Sequence, residues 1–217
     1  MLKGIIFDMD GVISDTQKIH SQVESELLAR YKIFISPAEI TQRYAGVKTS
    51  EFFLNLFQKY KINCDLNALL KEKWQQMEQS AQKKVDSIPG AIKLIKKLKT
   101  NNYPLAIAST SYLNYVNTVL NYLKLKKYFS AIISGDMVKQ GKPNPEIFLL
   151  AAQKINLNPT ECLVIEDGIN GMRAAQAAKM KCIGKDKNKS YPTKNLINSL
   201  TEIDIEYLKK LDSKKSK

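Results

Sequence analysis

Two aspartates, Asp8 and Asp10, come directly after the apolar run Leu2 to Phe7. On a continuing β-strand, side chains two positions apart point to the same side, so both carboxylates would face one region. Two like charges held together are unfavourable unless a cation or a proton offsets them. Carboxylate oxygens are ligands that Mg²⁺ prefers, and the pair therefore indicates a magnesium site. From this pair alone, an acidic turn exposed to solvent remains the alternative.

A second acidic pair, Glu166 and Asp167, follows the apolar run Leu163 to Ile165. If both apolar runs are parallel strands of one sheet, their carboxyl ends lie at the same edge, and the two acidic pairs meet there. Four converging carboxylates exceed what a solvated loop requires, which strengthens the prediction of a metal site.

Hydroxyl groups follow a third apolar run, because Ser109 to Ser111 come directly after Leu105 to Ala108. Hydroxyl and backbone N–H groups at the end of a strand, ahead of a helix, can bind an anion such as phosphate. The alternative role for these residues is to cap the helix that follows, which Ser and Thr also favour.

A lysine follows the fourth apolar run, Ala131 to Ile133. Lys142 lies in a turn that Pro143 and Pro145 make rigid. A lysine held there can bind a phosphate and offset clustered carboxylates, whereas the alternative is one more surface lysine.

The four apolar runs alternate with longer segments in which apolar residues have helical spacing, such as Ile92, Ile95 and Leu98. This alternation predicts an α/β fold, with a doubly wound, Rossmann-like parallel sheet and helices on both faces. In such folds, ligands bind beyond the carboxyl ends of the strands, where the acidic, hydroxyl and lysine groups lie.

The segment 14–85 interrupts the alternation, and its apolar residues, such as Phe52, Phe53 and Leu56, have helical spacing. We therefore expect a small α-helical cap domain at 14–85. It would be inserted into a core domain that consists of residues 1–13 and 86–217.

Taken together and in this order, each at or after the end of an apolar run, the motifs resemble those of the haloacid dehalogenase superfamily of phosphohydrolases. They are Asp8 with Asp10, Ser109, Lys142, and Glu166 with Asp167. The resemblance covers almost the whole chain. Most similar is the subgroup with a helical cap after the first motif, which includes phosphoglycolate-type phosphatases and beta-phosphoglucomutase.

The resemblance implies a role for each motif. Asp8 would attack phosphorus and become an aspartyl-phosphate, and Asp10 would act as general acid and base. Ser109 and Lys142 would hold the phosphoryl oxygens. Mg²⁺ would be bound by Asp8, by the backbone carbonyl of Asp10, by Asp167, and by Glu166 as a direct or indirect ligand.

The resemblance also implies substrate contacts from the cap and from loops beside the motifs, namely Gly11, Thr16, His20, Gly46, Lys48, Lys71, Thr110 and Asn144. One position departs from beta-phosphoglucomutase, where an arginine shortly after the glycine loop grips a second phosphate. This chain has Thr49 there, and the substitutes are Lys48 or Arg43. We therefore expect a phosphatase for a small phosphorylated metabolite, with the phosphoglucomutase as the alternative.

Two non-catalytic classes are less consistent with the sequence. A receiver-like signalling domain shares the sheet and the clustered aspartates, but it carries its phosphorylated aspartate on a later strand and lacks a helical insertion.

A phosphate- or polyanion-binding module is suggested by the net charge of +13. The basic residues are nearly all lysines, however, and even the tail Lys185 to Lys217 has nine lysines against five acidic residues. We expect no nucleic-acid partner.

Three widely separated cysteines, Cys64, Cys162 and Cys182, indicate neither a disulfide framework nor a zinc site.

The first apolar run is too short for a signal peptide or a membrane span. We expect a cytoplasmic protein without a membrane partner, present as a monomer or a weak homodimer.

Overall fold

The computed structural model describes residues 1–185 and 193–213, and its centre is a six-stranded parallel sheet. The strands are β1 (Gly4–Phe7), β2 (Leu105–Ala108), β3 (Ala131–Ile133), β4 (Cys162–Glu166), β5 (Lys181–Lys185) and β6 (Leu196–Ile197). Their spatial order is β3-β2-β1-β4-β5-β6. The chain thus builds β2 and β3 on one side of β1 and the remaining strands on the other. The predicted doubly wound α/β fold is confirmed.

The central strand β1 is apolar throughout because helices cover both faces of the sheet. Ile5 and Phe7 pack on one face, which is covered by α5 (Ala91–Thr100), α6 (Leu113–Tyr122) and α9 (Ile205–Ser213). Ile6 packs on the other, which is covered by α7 (Glu146–Lys154) and α8 (Ile169–Ala177). Burial of each of these side chains contributes about 1.5–3 kcal/mol. This packing fixes the strand that ends at Asp8.

Sequence patterns do not predict β5 and β6. β5 begins and ends with lysine and contains Gly184, so it lacks an apolar run. It forms because pairing with β4 and the burial of Cys182 and Ile183 outweigh the weak local pattern. The lysine-rich segment after β5 contributes β6 and α9 to the core and is not simply a solvated tail. Its residues 186–192 and 214–217 lie outside the described residues.

The inserted segment forms four helices, α1 (Gln17–Ala29), α2 (Pro37–Tyr44), α3 (Thr49–Tyr60) and α4 (Leu66–Lys83). They enclose a hydrophobic cluster of their own, which includes Leu28 and Phe53. The second half of α4 instead packs into the core of the sheet through Trp74 and Met77. We call residues 14–85 the cap and the rest the core; these domain boundaries stay a prediction. In the described part of the chain, no helix combines the length and hydropathy that crossing a membrane requires.

The two connections between cap and core lie side by side. The backbone N–H of Asp15 donates to the carbonyl of Asp86 at 2.8 Å, and that of Ile88 donates to the carbonyl of Ile13 at 2.9 Å. The first connection continues directly from Asp10, so the sheet edge that carries the predicted site also carries the cap.

Candidate active site

A fully buried lysine lies at the centre of the site. Lys142 has no exposed surface, and its Nζ donates to Asp8 Oδ1 at 2.5 Å and to Glu166 Oε2 at 3.2 Å. Asp8 follows β1, Glu166 ends β4, and Lys142 lies in the loop after β3. Since a buried ammonium is costly without negative partners, these loops stabilise one another through this contact.

The charges of this cluster change one another's protonation. Burial and the nearby Glu166 raise the pKa of Asp8 well above its ordinary value, while Lys142 acts in the opposite direction. Burial also raises the pKa of Glu166 to about 7, although Lys142 again opposes the shift. For Lys142, burial favours the neutral amine, but Asp8 and Glu166 outweigh burial and raise its pKa. One ammonium therefore does not neutralise all the carboxylates gathered here.

Asp8, Glu166 and Asp167 form a group that can hold a metal ion, since one carboxylate oxygen from each lies within 4.8 Å of the others. Burial and the charge of Asp8 raise the pKa of Asp167 to about 7. A divalent cation would remove this mutual repulsion, and three carboxylate oxygens suit a hard ion such as Mg²⁺. The donor set therefore fits the metal that the sequence indicates.

Gly11 lies against this acidic group. Its φ of +92° is a conformation that glycine adopts readily, and a Cβ at this position would lie 1.9 Å from Asp167 Oδ2. The carbonyl of Gly11 accepts a hydrogen bond from Lys185 Nζ at 3.0 Å. The absence of a side chain at Gly11 therefore leaves room for Asp167 in the group of three carboxylates, in addition to the predicted contact of Gly11 with the substrate.

Asp10 is held by a different set of groups. Thr16 donates from Oγ1 to Asp10 Oδ1 at 2.5 Å, and Ser111 donates from Oγ to Oδ2 at 2.9 Å. His20 Nε2 lies 3.3 Å from Oδ1. Burial raises the pKa of Asp10, but His20, Thr16 and Ser111 outweigh burial and lower the pKa. These contacts therefore favour Asp10 as a carboxylate. It does not belong to the group of Asp8, Glu166 and Asp167 that can hold a metal ion.

The hydroxyl-bearing residues after β2 contact Asp10, and two of them line a cavity. Ser109 Oγ accepts the backbone N–H of Ser111 at 3.2 Å and lies 3.4 Å from Asp10 Oδ2. Thr110 and Ser111 line a cavity between cap and core. Asp8 and Asp10 line the same cavity, so an anion entering there would meet both aspartates and the hydroxyl groups.

A buried lysine that belongs to none of the sequence motifs lies behind His20. Lys73 on α4 has no exposed surface, and its Nζ lies 3.0 Å from His20 Nδ1, 3.2 Å from Thr49 Oγ1 and 3.2 Å from Glu24 Oε1. Because an ammonium only donates, Nδ1 of His20 accepts this bond, and a neutral imidazole then carries its proton on Nε2, facing Asp10. Lys73 thus orients His20.

Lys71, which the resemblance assigns to the substrate, is exposed on α4. Positions two apart on an α-helix differ by about 200° in direction. Lys71 and Lys73 therefore point to opposite sides, and Lys73 shares the buried face with Leu70 and Met77. Lys71 does not line the cavity, and the cap lysine beside the site is Lys73; the substrate contact of Lys71 stays a prediction that this placement does not favour.

Lys48 also points away from the cavity. Its Nζ donates to the backbone carbonyl of Val138 in the core at 2.7 Å. Beside it, Glu51 Oε1 accepts the backbone N–H of Gly141 at 2.8 Å, and a Cβ on Gly141 would lie 2.5 Å from Lys48 Cβ. The start of α3 thus docks on the turn that carries Lys142. Lys48 therefore joins the cap to the core and does not line the cavity, and its substrate contact stays a prediction.

Two further predicted substrate contacts differ in their outcome. Gly46 lines the cavity with a φ of +79°, and a Cβ there would lie 3.6 Å from Lys142 Cδ. Asn144 instead bonds Gln140 through Nδ2 and accepts the backbone N–H of Glu146 through Oδ1. It shapes the turn before α7 and lines a separate surface groove. Asn144 therefore does not line the cavity, and its substrate contact stays a prediction that this placement does not favour.

The cavity measures about 500 Å³ including its open mouth. Its cap wall consists of one face of α1, with Gln17, His20 and Glu24, of Ile40 and Tyr44 on α2, and of residues from there to the start of α3, including Thr49. Within the ranges 1–185 and 193–213, no lysine or arginine side chain lines the cavity. Glu24 and Lys73 both lie on the buried faces of their helices. In the sequence, each is a charged residue at a position where helical spacing predicts an apolar one, and this pattern would have identified them.

Comparison with known proteins agrees with this geometry. Residues 5–185 match the family model described as haloacid dehalogenase-like hydrolase. Fructose-1-phosphate phosphatase YqaB of Escherichia coli is 32% identical over 83% of this chain and 94% of that protein. The crystal structure of beta-phosphoglucomutase from Clostridium difficile has a TM-score of 0.85 at 26% identity, over 97% of each chain.

One relative is much longer. The bifunctional riboflavin kinase/FMN phosphatase of Arabidopsis thaliana is 30% identical over 93% of this chain, which spans about half (54%) of that protein. The family model itself matches from β1 to the end of β5 and so includes every strand end that carries a site motif. The chain therefore belongs to the haloacid dehalogenase-like hydrolases, a family of enzymes.

Proposed function

We propose that this chain is a magnesium-dependent phosphatase that hydrolyses a small phosphorylated sugar or a similar phosphomonoester. The reaction would proceed through an aspartyl-phosphate on Asp8. The observation that carries the proposal is that Asp8 and Asp10 line one cavity and differ in their surroundings. Asp8 contacts a buried ammonium and two further carboxylates, whereas Asp10 is held by hydroxyl groups and His20.

In the first step, a carboxylate oxygen of Asp8 forms a bond to phosphorus, and the bond from phosphorus to the leaving oxygen breaks. Lys142 offsets negative charge beside the attacking carboxylate. The leaving oxygen takes a proton from Asp10. The contacts in this structure favour Asp10 without a proton, but an arriving phosphate dianion favours the protonated form, because a nearby negative charge disfavours a second one.

In the second step, Asp10 removes a proton from a water molecule, whose oxygen attacks phosphorus as the bond to Asp8 breaks. The carboxylate form that Thr16, Ser111 and His20 stabilise is the form this step requires. Inorganic phosphate is released and Asp8 is regenerated. Mg²⁺, when bound by Asp8, Asp167 and Glu166, would offset the charge of the phosphate next to these carboxylates.

Contacts in the cap support hydrolysis over the mutase reaction. A mutase must bind a second phosphate, for which a cation is the suitable partner. The two candidate substitutes for the missing arginine are engaged elsewhere: exposed Arg43 pairs with Glu39 at 2.8 Å, and Lys48 bonds Val138. Thr49 is turned towards Lys73. The likeness to beta-phosphoglucomutase nevertheless makes the mutase the second candidate.

The test is to incubate the purified protein with Mg²⁺ and a panel of phosphorylated sugars that includes β-glucose 1-phosphate, and to measure released phosphate and glucose 6-phosphate. We expect phosphate release from sugar phosphates, and β-glucose 1-phosphate to be hydrolysed at most. Clean formation of glucose 6-phosphate that depends on a bisphosphate activator would contradict the proposal. The absence of phosphate release from every compound would also contradict it.

Substitution of Gly11 should weaken the metal site. In Gly11→Ala, the new methyl group would collide with Asp167 Oδ2, and the positive φ would be strained. We expect the Mg²⁺ concentration for half-maximal phosphate release to rise at least about tenfold, as for other changes that displace a metal ligand. The measurement is a Mg²⁺ titration of activity. An unchanged Mg²⁺ requirement would show that Asp167 is not a ligand.

A further inference from the structure

The cap wall of the cavity presents a carboxylate at a fixed distance from the catalytic pair. Gln17, His20 and Glu24 follow one another along one face of α1. His20 contacts Asp10, which in the proposed reaction donates a proton to the leaving oxygen. Glu24 lies one turn further, about 6 Å along the helix axis. Glu24 is therefore aligned with the part of a substrate that extends beyond the leaving oxygen.

Lys73 fixes Glu24 without offering a cation to the substrate. An ammonium has three donor hydrogens, and the contacts of Lys73 Nζ with Glu24, His20 and Thr49 account for all three. A carboxylate has about four acceptor positions, of which Lys73 occupies one. Among the described residues, Glu24 has no further polar partner, so its remaining acceptor positions face the cavity that it lines.

The charges around this wall distinguish between classes of substrate. A buried carboxylate acceptor forms strong hydrogen bonds with hydroxyl donors. It repels a carboxylate or a second phosphate: at an effective dielectric constant near 20, an isolated like charge about 4 Å away disfavours binding by about 1000-fold. Lys73, 3.2 Å from Glu24 Oε1, offsets part of this repulsion, and together with the hydrogen bond that only a hydroxyl group donates we expect a discrimination of about 100-fold. In the described part of the chain, no lysine or arginine lines the cavity itself.

We propose that Glu24, held by Lys73, is a specificity-determining residue that accepts hydrogen bonds from hydroxyl groups of the leaving group. The substrates would then be phosphomonoesters of neutral polyols or sugars, and not of hydroxy acids or bisphosphates. This inference rests on the proposed phosphatase function, because it concerns what that site accepts.

The test uses pairs of substrates that differ only in a CH₂OH group or a carboxylate at the end away from the phosphate. Suitable pairs are glycerol 3-phosphate with 3-phosphoglycerate, and sorbitol 6-phosphate with 6-phosphogluconate. With Mg²⁺ present, we expect the wild type to prefer the polyol member by about 100-fold in kcat/KM in at least one pair. In Glu24→Gln, which retains the shape but not the charge, the preference should fall below about tenfold.

Two further variants separate charge from damage to the fold. Glu26→Gln makes the same chemical change at an exposed position of α1 and should keep the wild-type preference. Glu24→Gln/Lys73→Met removes both charges of the buried pair and should lose the preference as the single variant does. Thermal unfolding of each variant would establish that it is folded.

The outcomes distinguish this inference from the function on which it rests. Equal use of both members of each pair by the wild type, or a preference that persists in both Glu24 variants, would overturn the role of Glu24. So would hydrolysis of p-nitrophenyl phosphate without hydrolysis of either polyol phosphate. If the wild type released no phosphate even from p-nitrophenyl phosphate, the phosphatase function would fail as well.

Discussion

Asp8→Asn should lower kcat for phosphate release by at least ~10⁴-fold while leaving the fold intact. An amide oxygen is a poor nucleophile and does not form the aspartyl-phosphate, so the loss should appear in kcat and not only in KM. The fold should tolerate the change because burial and Glu166 already disfavour the charged form of Asp8, as its raised pKa indicates. Lys142 retains Glu166 as a partner. Phosphate release with Mg²⁺ and thermal unfolding together measure both effects.

Asp15→Asn is the matched control for this prediction. Asp15 is exposed and lies seven positions after Asp8, so the same chemical change occurs near the site but outside the cavity. Its kcat should stay close to the wild-type value. If Asp8→Asn instead kept kcat within about tenfold of the wild type, Asp8 would not be the nucleophile.

The sheet was predictable wherever the strands are buried on both faces. The predicted bounds of β2 and β3, Leu105–Ala108 and Ala131–Ile133, coincide with those observed. Such strands appear as uninterrupted apolar runs because neither face meets water. The lysine-bounded β5 has no such run, and its assignment requires β4 as a neighbour. Local composition is therefore informative for the centre of this sheet and not for its edge.

The core part of the site was predictable for a related reason. Asp8, Lys142 and Glu166 each lie at or just after the end of a strand, and parallel strands bring such positions to one edge. The short contacts of Lys142 with both carboxylates follow from this topology. Which oxygen of each carboxylate meets the ammonium depends on side-chain packing, which no strand pattern contains.

The cap was less predictable because its functional side chains lie on helix faces and not at strand ends. Assigning Lys71 to the substrate depends on counting along the chain without a gap, and an error of two positions turns the side chain to the opposite side of α4. Lys73 and Glu24 are instead recognised as charged residues within buried stripes, where an ion pair is needed to offset their burial. The burial of a charged residue, which the motifs do not contain, is therefore needed to find the proposed specificity residue Glu24.

Lys142→Met should impair both catalysis and stability, since it replaces a buried ammonium by an apolar side chain of similar size. We expect kcat/KM to fall by about 10³-fold, the usual loss when a group that stabilises the transition-state charge is removed. Without Mg²⁺ at pH 8, the free energy of unfolding should fall by about 3–5 kcal/mol, because Asp8 and Glu166 then lack their buried partner. Lys139→Met, at an exposed position three residues earlier, should change neither quantity appreciably.

The stability loss in Lys142→Met should depend on pH in a defined direction. Lys142 opposes the upward pKa shifts of Asp8 and Glu166, so its removal raises both pKa values further. A carboxyl group whose folded pKa is raised binds more protons in the folded than in the unfolded state, between its ordinary pKa and the raised one. For Glu166 this window already extends from 4.5 to about 7 in the wild type. Below about 7 both proteins carry this proton when folded, so the difference in unfolding free energy between variant and wild type should shrink as the pH falls from 8 to about 7 and change little below it through Glu166. Mg²⁺ should raise the Tm of the variant more than that of the wild type. A loss that is independent of pH and of Mg²⁺ would mean that Lys142 acts through packing and not through its charge.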